Sequence, residues 1–146
     1  MKLVSLLIFH ALVFTAAVWQ PDFEKAKAQA AAEHKLIILN FSGSDWCMPC
    51  MRMRSEIFDS EAFLKYADAE LVLVNADFPR LKKNRPGKEI IKQNEALAAR
   101  YNREGKFPFT VLLTPEGKLV KSWDGFPGKS AIEFVDEIKA VAHAGN

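Results

Sequence analysis

Leu36-Ile37-Ile38-Leu39-Asn40-Phe41-Ser42-Gly43-Ser44-Asp45-Trp46-Cys47-Met48-Pro49-Cys50 holds the only two cysteines of the chain, three residues apart. The apolar run Leu36 to Leu39 is too short for a helix and reads as a buried strand over Lys35–Phe41. A Ser/Gly/Asp turn follows, and then a helix pattern that starts at Cys47 and reaches about Phe58. Cys47 is therefore expected exposed at a helix N-terminus, where free N–H groups and the positive dipole end favour a thiolate. Cys50 falls one turn on, close enough to attack a mixed disulfide formed by Cys47. Pro49 suits a first turn, because its missing N–H has no helical partner to lose. Met48 and Pro49 bring no charge between the cysteines.

Two plainer uses of the pair fit less well. A structural bridge across three residues closes a loop so small that it removes little unfolded-state entropy. A zinc site needs four ligands, and the cysteines with His34 and His143 do not lie at finger-like spacing. No metal ligand set is assigned, and no cofactor is called for beyond a redox-active Cys47–Cys50 disulfide.

The beginning of the chain reads differently from the rest. Met1-Lys2 supplies a positive start, Leu3 to Val18 carries no formal charge, and Ala16-Ala17 offers a small-residue cleavage point. The pattern is that of a secretory signal peptide over residues 1–17, followed by one domain over residues 18–146. A membrane span needs about 20 apolar residues, and this run ends at Gln20-Pro21-Asp22. Removing residues 1–17 leaves 19 Lys+Arg against 18 Asp+Glu, a near-neutral balance that argues against nucleic acid as the main partner. The exception is Arg80-Leu81-Lys82-Lys83-Asn84-Arg85-Pro86-Gly87-Lys88. A solvated loop is its simplest reading, and a docking patch is the other.

Further along, Pro21–Glu33 and Glu89–Tyr101 carry helical periodicity, and Asp59 or Ser60 can cap a short helix bearing Phe63, Leu64 and Tyr66. Leu71–Val74 reads as a second buried strand. Phe109–Leu113, a turn at Pro115–Lys118, and Leu119–Trp123 form an antiparallel hairpin. Ser130 and Glu133 make a capping box that opens a last helix with Phe134, Val135, Ile138 and Val141 facing inward.

The order of elements, the Trp46-Cys47-Met48-Pro49-Cys50 segment and Lys106-Phe107-Pro108-Phe109 together resemble the thioredoxin superfamily. Gly43 to Cys47 and Asp77 to Arg80 resemble more closely its exported bacterial members, and the resemblance runs from Phe23 to Val141. It implies an α/β, three-layer fold in which a mixed four-stranded sheet is flanked by helices. It implies a cis Phe107–Pro108 peptide beside the cysteines, with Trp46, Phe107, Pro108 and Phe109 forming the substrate surface. Periodicity alone would make Pro108 an ordinary strand-start proline. Gly125 falls where a glycine approaches the active-site surface, and equally suits a turn. Asn40 stands where many relatives carry a buried acid, so a group that cannot titrate lies beneath Cys50. The lysine that often partners that acid is not found on the next strand, over Leu71 to Val74.

The function implied is an exported thiol–disulfide oxidoreductase, a reductase or an isomerase rather than an oxidase. Its catalytic pair is Cys47 and Cys50, modulated by Asn40, Met48 and Pro49. The expected partners are protein or peptide thiols and disulfides and an external thiol electron donor, a membrane-bound one included, with the chain acting as a monomer. Two rivals are a non-catalytic module that binds peptides in the groove around Trp46, Pro108 and Phe109, and a metal-transfer protein.

Overall fold

The computed structural model describes residues 17–143, so the expected signal peptide falls almost wholly outside the described residues. A five-stranded sheet forms the middle layer. Its strands are β1 (Trp19–Gln20), β2 (Leu36–Ser42), β3 (Leu71–Asp77), β4 (Phe109–Leu113) and β5 (Leu119–Asp124). They lie in the order β1-β3-β2-β4-β5, with β1, β3 and β2 mutually parallel and β4 and β5 each antiparallel to its neighbour. The expected mixed sheet thus gains an edge strand. It is only two residues long, pairing Trp19 with Leu73 and Gln20 with Val74, too short for periodicity to reveal.

Helices cover both faces. Helix α1 (Phe23–Glu33) starts at Asp22, whose carboxylate accepts from the Lys25 amide at 3.0 Å. With α4 (Lys88–Tyr101) it buries Ile37, Leu39, Phe41, Val72, Val74, Val111 and Leu113 beneath Phe23, Ala26, Ala30 and Leu97. The opposite face, with Ile38, Leu73, Leu112 and Trp123, lies under Met53, Ile57, Phe58, Phe63, Phe134 and Ile138. Those residues come from α2 (Met48–Arg52) and its extension, from α3 (Glu61–Glu70) and from α5 (Ala131–His143). Ser60, rather than Asp59, caps α3 through its hydroxyl, 3.2 Å from the Phe63 amide. The Ser130–Glu133 box forms in both directions, at 2.8 and 3.3 Å.

The helix after the cysteines is not α-helical throughout. From Met53 to Phe58 it widens into a π-helical stretch that ends with the Asp59 amide donating to the Arg54 carbonyl at 2.8 Å. Bonding five residues back sets positions four and five apart on one side. Met53, Ile57 and Phe58 are all buried, which regular α spacing would not achieve for adjacent Ile57 and Phe58 together with Met53.

Phe134 is the hub of the second face, with its ring centroid 5.0 Å from Trp123, 6.3 Å from Phe58 and 6.4 Å from Phe63. Phe134→Ala should destabilise the protein by about 3–5 kcal/mol in urea unfolding, and Ile132→Ala, on the exposed side of α5, by less than about 0.5 kcal/mol. Equal losses at the two sites would mean that α5 is packed in another register.

Candidate active site at the start of the second helix

Strand β2 ends at Ser42 and the chain turns through Gly43–Trp46 into α2, with Cys47 as the N-cap. The Cys47 amide donates to the Gly43 carbonyl at 2.9 Å, and the Cys47 sulfur accepts from the Cys50 amide at 3.3 Å. Cys47 and Cys50 are joined as a disulfide with their Cα atoms 5.2 Å apart. The expected exposure of Cys47 is not what the structure shows: Cys47 is 4% and Cys50 6% exposed. The bridge turns the Cys47 sulfur back over the first turn of α2. Met48, 66% exposed, is instead the residue that projects from this turn, with Pro49 also exposed.

Trp46 lies over Gly43 so closely that a Cβ at position 43 would fall among the indole ring atoms. Its indole N–H donates to the Phe78 carbonyl at 2.8 Å, and its ring meets Phe107 edge-on at 5.4 Å. Phe107 in turn meets Phe78 edge-on at 5.6 Å, and the Arg80 guanidinium lies 4.2 Å above Trp46. The Phe107–Pro108 peptide is cis, Pro108 is buried, and its carbonyl accepts from the Gly125 amide at 2.9 Å. Gly125 holds a φ of 75° there, so it serves both as turn residue and as a tie to Pro108. Just before Phe107, Lys106 bridges Glu104 and Asp124, each at 2.9 Å, and hydrogen bonds to Asp124 and then Glu104 push its pKa up to about 12. Phe109 is half-buried, its ring 6.3 Å from Phe41 on the α1–α4 face, where Phe78 and Phe107 also pack.

The segments Gly43–Cys47 and Asp77–Arg80 prove to be one physical unit. Asp77 accepts from the Ser42 hydroxyl at 3.2 Å, the Ser44 amide at 2.9 Å and the Ser44 hydroxyl at 2.5 Å. The Asp45 carboxylate accepts from the Arg80 amide at 2.8 Å, the Leu81 amide at 2.9 Å and the Asn84 side chain at 3.0 Å. These donors, the Arg80 amide foremost, hold the Asp45 pKa below the usual carboxylate value. The resemblance marked both segments, but local pattern gives Asp45 no role, because its partners lie 35 to 39 residues further along the chain.

Behind Cys50 the sheet face turns from apolar to polar. Asn40 is 5% exposed and aligned with Asn75 on β3 and Thr110 on β4. Its amide donates to Asn75 Oδ1 at 3.0 Å and its oxygen accepts from the Thr110 hydroxyl at 3.0 Å. Reading the second strand only as far as Val74 stopped one residue short of Asn75, the group that faces Asn40. Between this row and α2 lies a cavity of about 210 Å³ lined by Asn40, Ser42, Asn75, Cys50, Arg54 and Trp19, among others. Among the described residues, no His, Cys, Asp and Glu cluster has a metal-binding arrangement, and no helix is long and apolar enough to cross a membrane.

A thioredoxin-like family profile matches residues 18–115. The chain belongs to the thioredoxin-like family. It is 35% identical over 123 residues to the disulfide bond reductase DsbH of Chlamydia pneumoniae, covering 84% of this chain and 71% of that protein. It is 29% identical over 122 residues to the thioredoxin-related protein DsbJ of the same organism, spanning 83% of this chain but only 34% of DsbJ. The solved structure of a DsbH oxidoreductase superposes with a TM-score of 0.79 at 29% identity, covering 94% of this chain and 93% of that one. A Thermus thermophilus thioredoxin shares the fold at 21% identity, with a TM-score of 0.65 over 88% of each chain. With the Cys47–Cys50 pair in place, this thioredoxin-like protein is a thiol–disulfide oxidoreductase.

Two outcomes follow from the site's electrostatics. The Arg80 and Leu81 amide shifts should report an acid titration with an apparent pKa below the ~3.9 of a free Asp, because the clip favours ionised Asp45. The clip's contribution is complete above the unfolded pKa and is lost as pH falls through the lower folded one. Asn40→Asp should behave oppositely. A protonated Asp can still donate to Asn75 Oδ1, whereas an ionised one faces that oxygen without a proton, so its folded pKa is raised. Stability relative to the native chain should then fall by about 1–3 kcal/mol as pH rises from ~3.9 through the folded pKa, measured by urea unfolding at several pH values. A flat difference across pH would show that the carboxylate reaches water.

Proposed function

We propose that the protein is an exported protein-disulfide reductase that draws its electrons from an external thiol donor. The observation that carries this reading is the position of Cys50. It sits buried one turn behind Cys47, against a cavity that is polar and neutral on its sheet side, with no charged residue between the cysteines. Similarity to a disulfide bond reductase supports the direction. Charged Cys-x-x-Cys surroundings that stabilise the thiolate favour an oxidant, and Met48-Pro49 supplies none.

In the proposed cycle the Cys47 thiolate attacks one sulfur of a substrate disulfide, forms a mixed disulfide and expels the other substrate sulfur as a thiolate. Cys50 then gives up its proton and attacks the Cys47 sulfur. The second substrate thiolate leaves, and the Cys47–Cys50 bond closes. Two electrons pass to the substrate, whose thiolates take up protons, and the donor's two thiols restore the reduced pair. Neutral Asn40 cannot accept the Cys50 proton, so water in the cavity takes it; about 210 Å³ is ample for several water molecules.

Trp46, Phe107 and the buried Pro108 form the wall against which the substrate chain lies. Export rests on the pattern of residues 1–17: a basic start, an apolar run and small residues at the end. Cleavage near Ala17 would leave β1, which starts at Trp19, in the sheet.

Reduction of insulin with a dithiol donor tests the chemistry. Cys47→Ser should abolish it, and Cys50→Ser should accumulate a mixed disulfide visible on a non-reducing gel. Native protein that adds nothing to the rate of the dithiol donor alone would leave a binding module as the better description. Recovery of scrambled ribonuclease without added reductant would move the assignment from reductase to isomerase.

A further inference from the structure

Residues 80–88 carry five cations, Arg80, Lys82, Lys83, Arg85 and Lys88, in a chain whose formal net charge is only +2. All five residues are exposed, and among the described residues none is ion-paired. Other cations near the site are neutralised: Arg52 by Glu56 at 2.8 Å, Arg54 by Asp59 at 2.7 Å, and Lys106 by Glu104 and Asp124. The unbalanced positive charge at this end of the molecule is therefore concentrated in one loop.

The loop is also held in place from the active site itself. Asp45 and Trp46, the two residues before Cys47, bind it at the Phe78 carbonyl, the Arg80 and Leu81 amides and the Asn84 side chain. A solvated run of like charges needs no such anchoring, and self-repulsion works against it. Here the Asp45 carboxylate is spent on the backbone of the loop and the Asn84 side chain, leaving Lys82, Lys83, Arg85 and Lys88 without an ion pair, while Arg80 lies on Trp46.

We propose that Arg80–Lys88 is a docking surface for acidic polypeptide segments that flank the reactive disulfide of the protein's redox partner. The inference rests on the reductase reading and adds to it the charge of the substrate. A segment joined to Cys47 through a mixed disulfide must pass close to Trp46, and the loop is bonded to Trp46 and its neighbour. Exposed charges act over roughly a Debye length, about 8 Å at physiological salt, so fixed cations at this rim select acidic neighbours and speed encounter. An anionic membrane is less well matched. Surface-binding segments pair cations with a broad apolar face, and the loop's only large exposed apolar side chain is Leu81.

The test uses three peptides with the same disulfide core, flanked by Asp/Glu, by Lys or by neutral residues, and the variant Lys82→Glu/Lys83→Glu/Arg85→Glu. Arg80 is left intact because it lies on Trp46. For the native protein kcat/KM should favour the acidic peptide over the neutral one by about tenfold at low salt, and the preference should shrink in ~0.5 M salt. The variant should lose or invert it. Both proteins should reduce a neutral small-molecule disulfide equally, which separates docking from chemistry. Equal kcat/KM for the three peptides with native protein overturns the proposal and leaves the reductase reading standing. Failure to reduce the small disulfide removes that reading instead. Binding to anionic phosphatidylglycerol vesicles without any peptide preference also overturns the proposal and assigns the patch to a lipid surface.

Discussion

The parallel pairing of β2 with β3, in register from Leu36–Leu71 to Ser42–Asp77, is the constraint on which the rest depends. It brings the two strand ends level, so that the turn after Ser42 and the turn after Asp77 leave the sheet side by side. Each turn then satisfies the other's backbone. Asp77 takes the Ser44 amide, the Ser42 carbonyl takes the Phe78 amide at 2.8 Å, and Asp45 takes the Arg80 and Leu81 amides. A slip of β2 by one residue would turn Asn40 into the apolar α1–α4 face and send Phe41 toward the cysteines. The first change would bury a polar side chain without its partners, so the register is strongly specified.

The same pairing explains how the site tolerates polar groups in the interior. Along β2 and β3 the face under α2 begins with Ile38 and Leu73 and ends with Asn40, Ser42, Asn75 and Asp77. Thr110, Asn40 and Asn75 form a row in which each contact has a donor and an acceptor. A neutral row of this kind avoids the several kcal/mol that an unpaired buried charge costs. It also removes any titrating group directly behind Cys50. In the proposed cycle this would leave proton movement at Cys50 to solvent in the cavity.

Much of this was legible because it follows from patterns that periodicity and caps encode. The apolar runs at Leu36–Leu39 and Leu71–Val74, the hairpin around Pro115–Lys118 and the Ser130–Glu133 box all depend on neighbours close in sequence. The cysteine pair and its helix start are equally local. What escaped depends on partners far away in the chain. Trp19 and Gln20 are a strand only because β3 offers an edge. The widening at Met53–Phe58 answers to the core it must fill, and no single residue marks it. The packing of Phe109 on Phe41 likewise depends on a partner far away in the chain. The exposure of Cys47 was misjudged for a related reason, since helix-start geometry says nothing about the bridge that folds its sulfur inward. Asn75 lay one residue beyond where the strand signal faded, although its spacing from Leu73 places it on the site's face.

Gly43 shows why the two halves of the site must be considered together. No positive φ requires a glycine there; the requirement is the Trp46 ring lying against its Cα. That contact lowers the indole until its N–H reaches the Phe78 carbonyl and its outer face meets Arg80. The ring packs with Phe107 and Phe78, which lie on the α1–α4 side of the sheet, whereas the neutral polar row behind Cys50 lies on the other face. Above the ring lies the loop of cations whose backbone Asp45 holds. On the proposed function, changes at Asn40 or Asn75 would act at Cys50, while changes at Lys82, Lys83 or Arg85 would alter the field that a partner meets before it reaches Cys47. Trp46 and Asp45 couple the two physically, because moving either one displaces the loop and the turn that positions the cysteine.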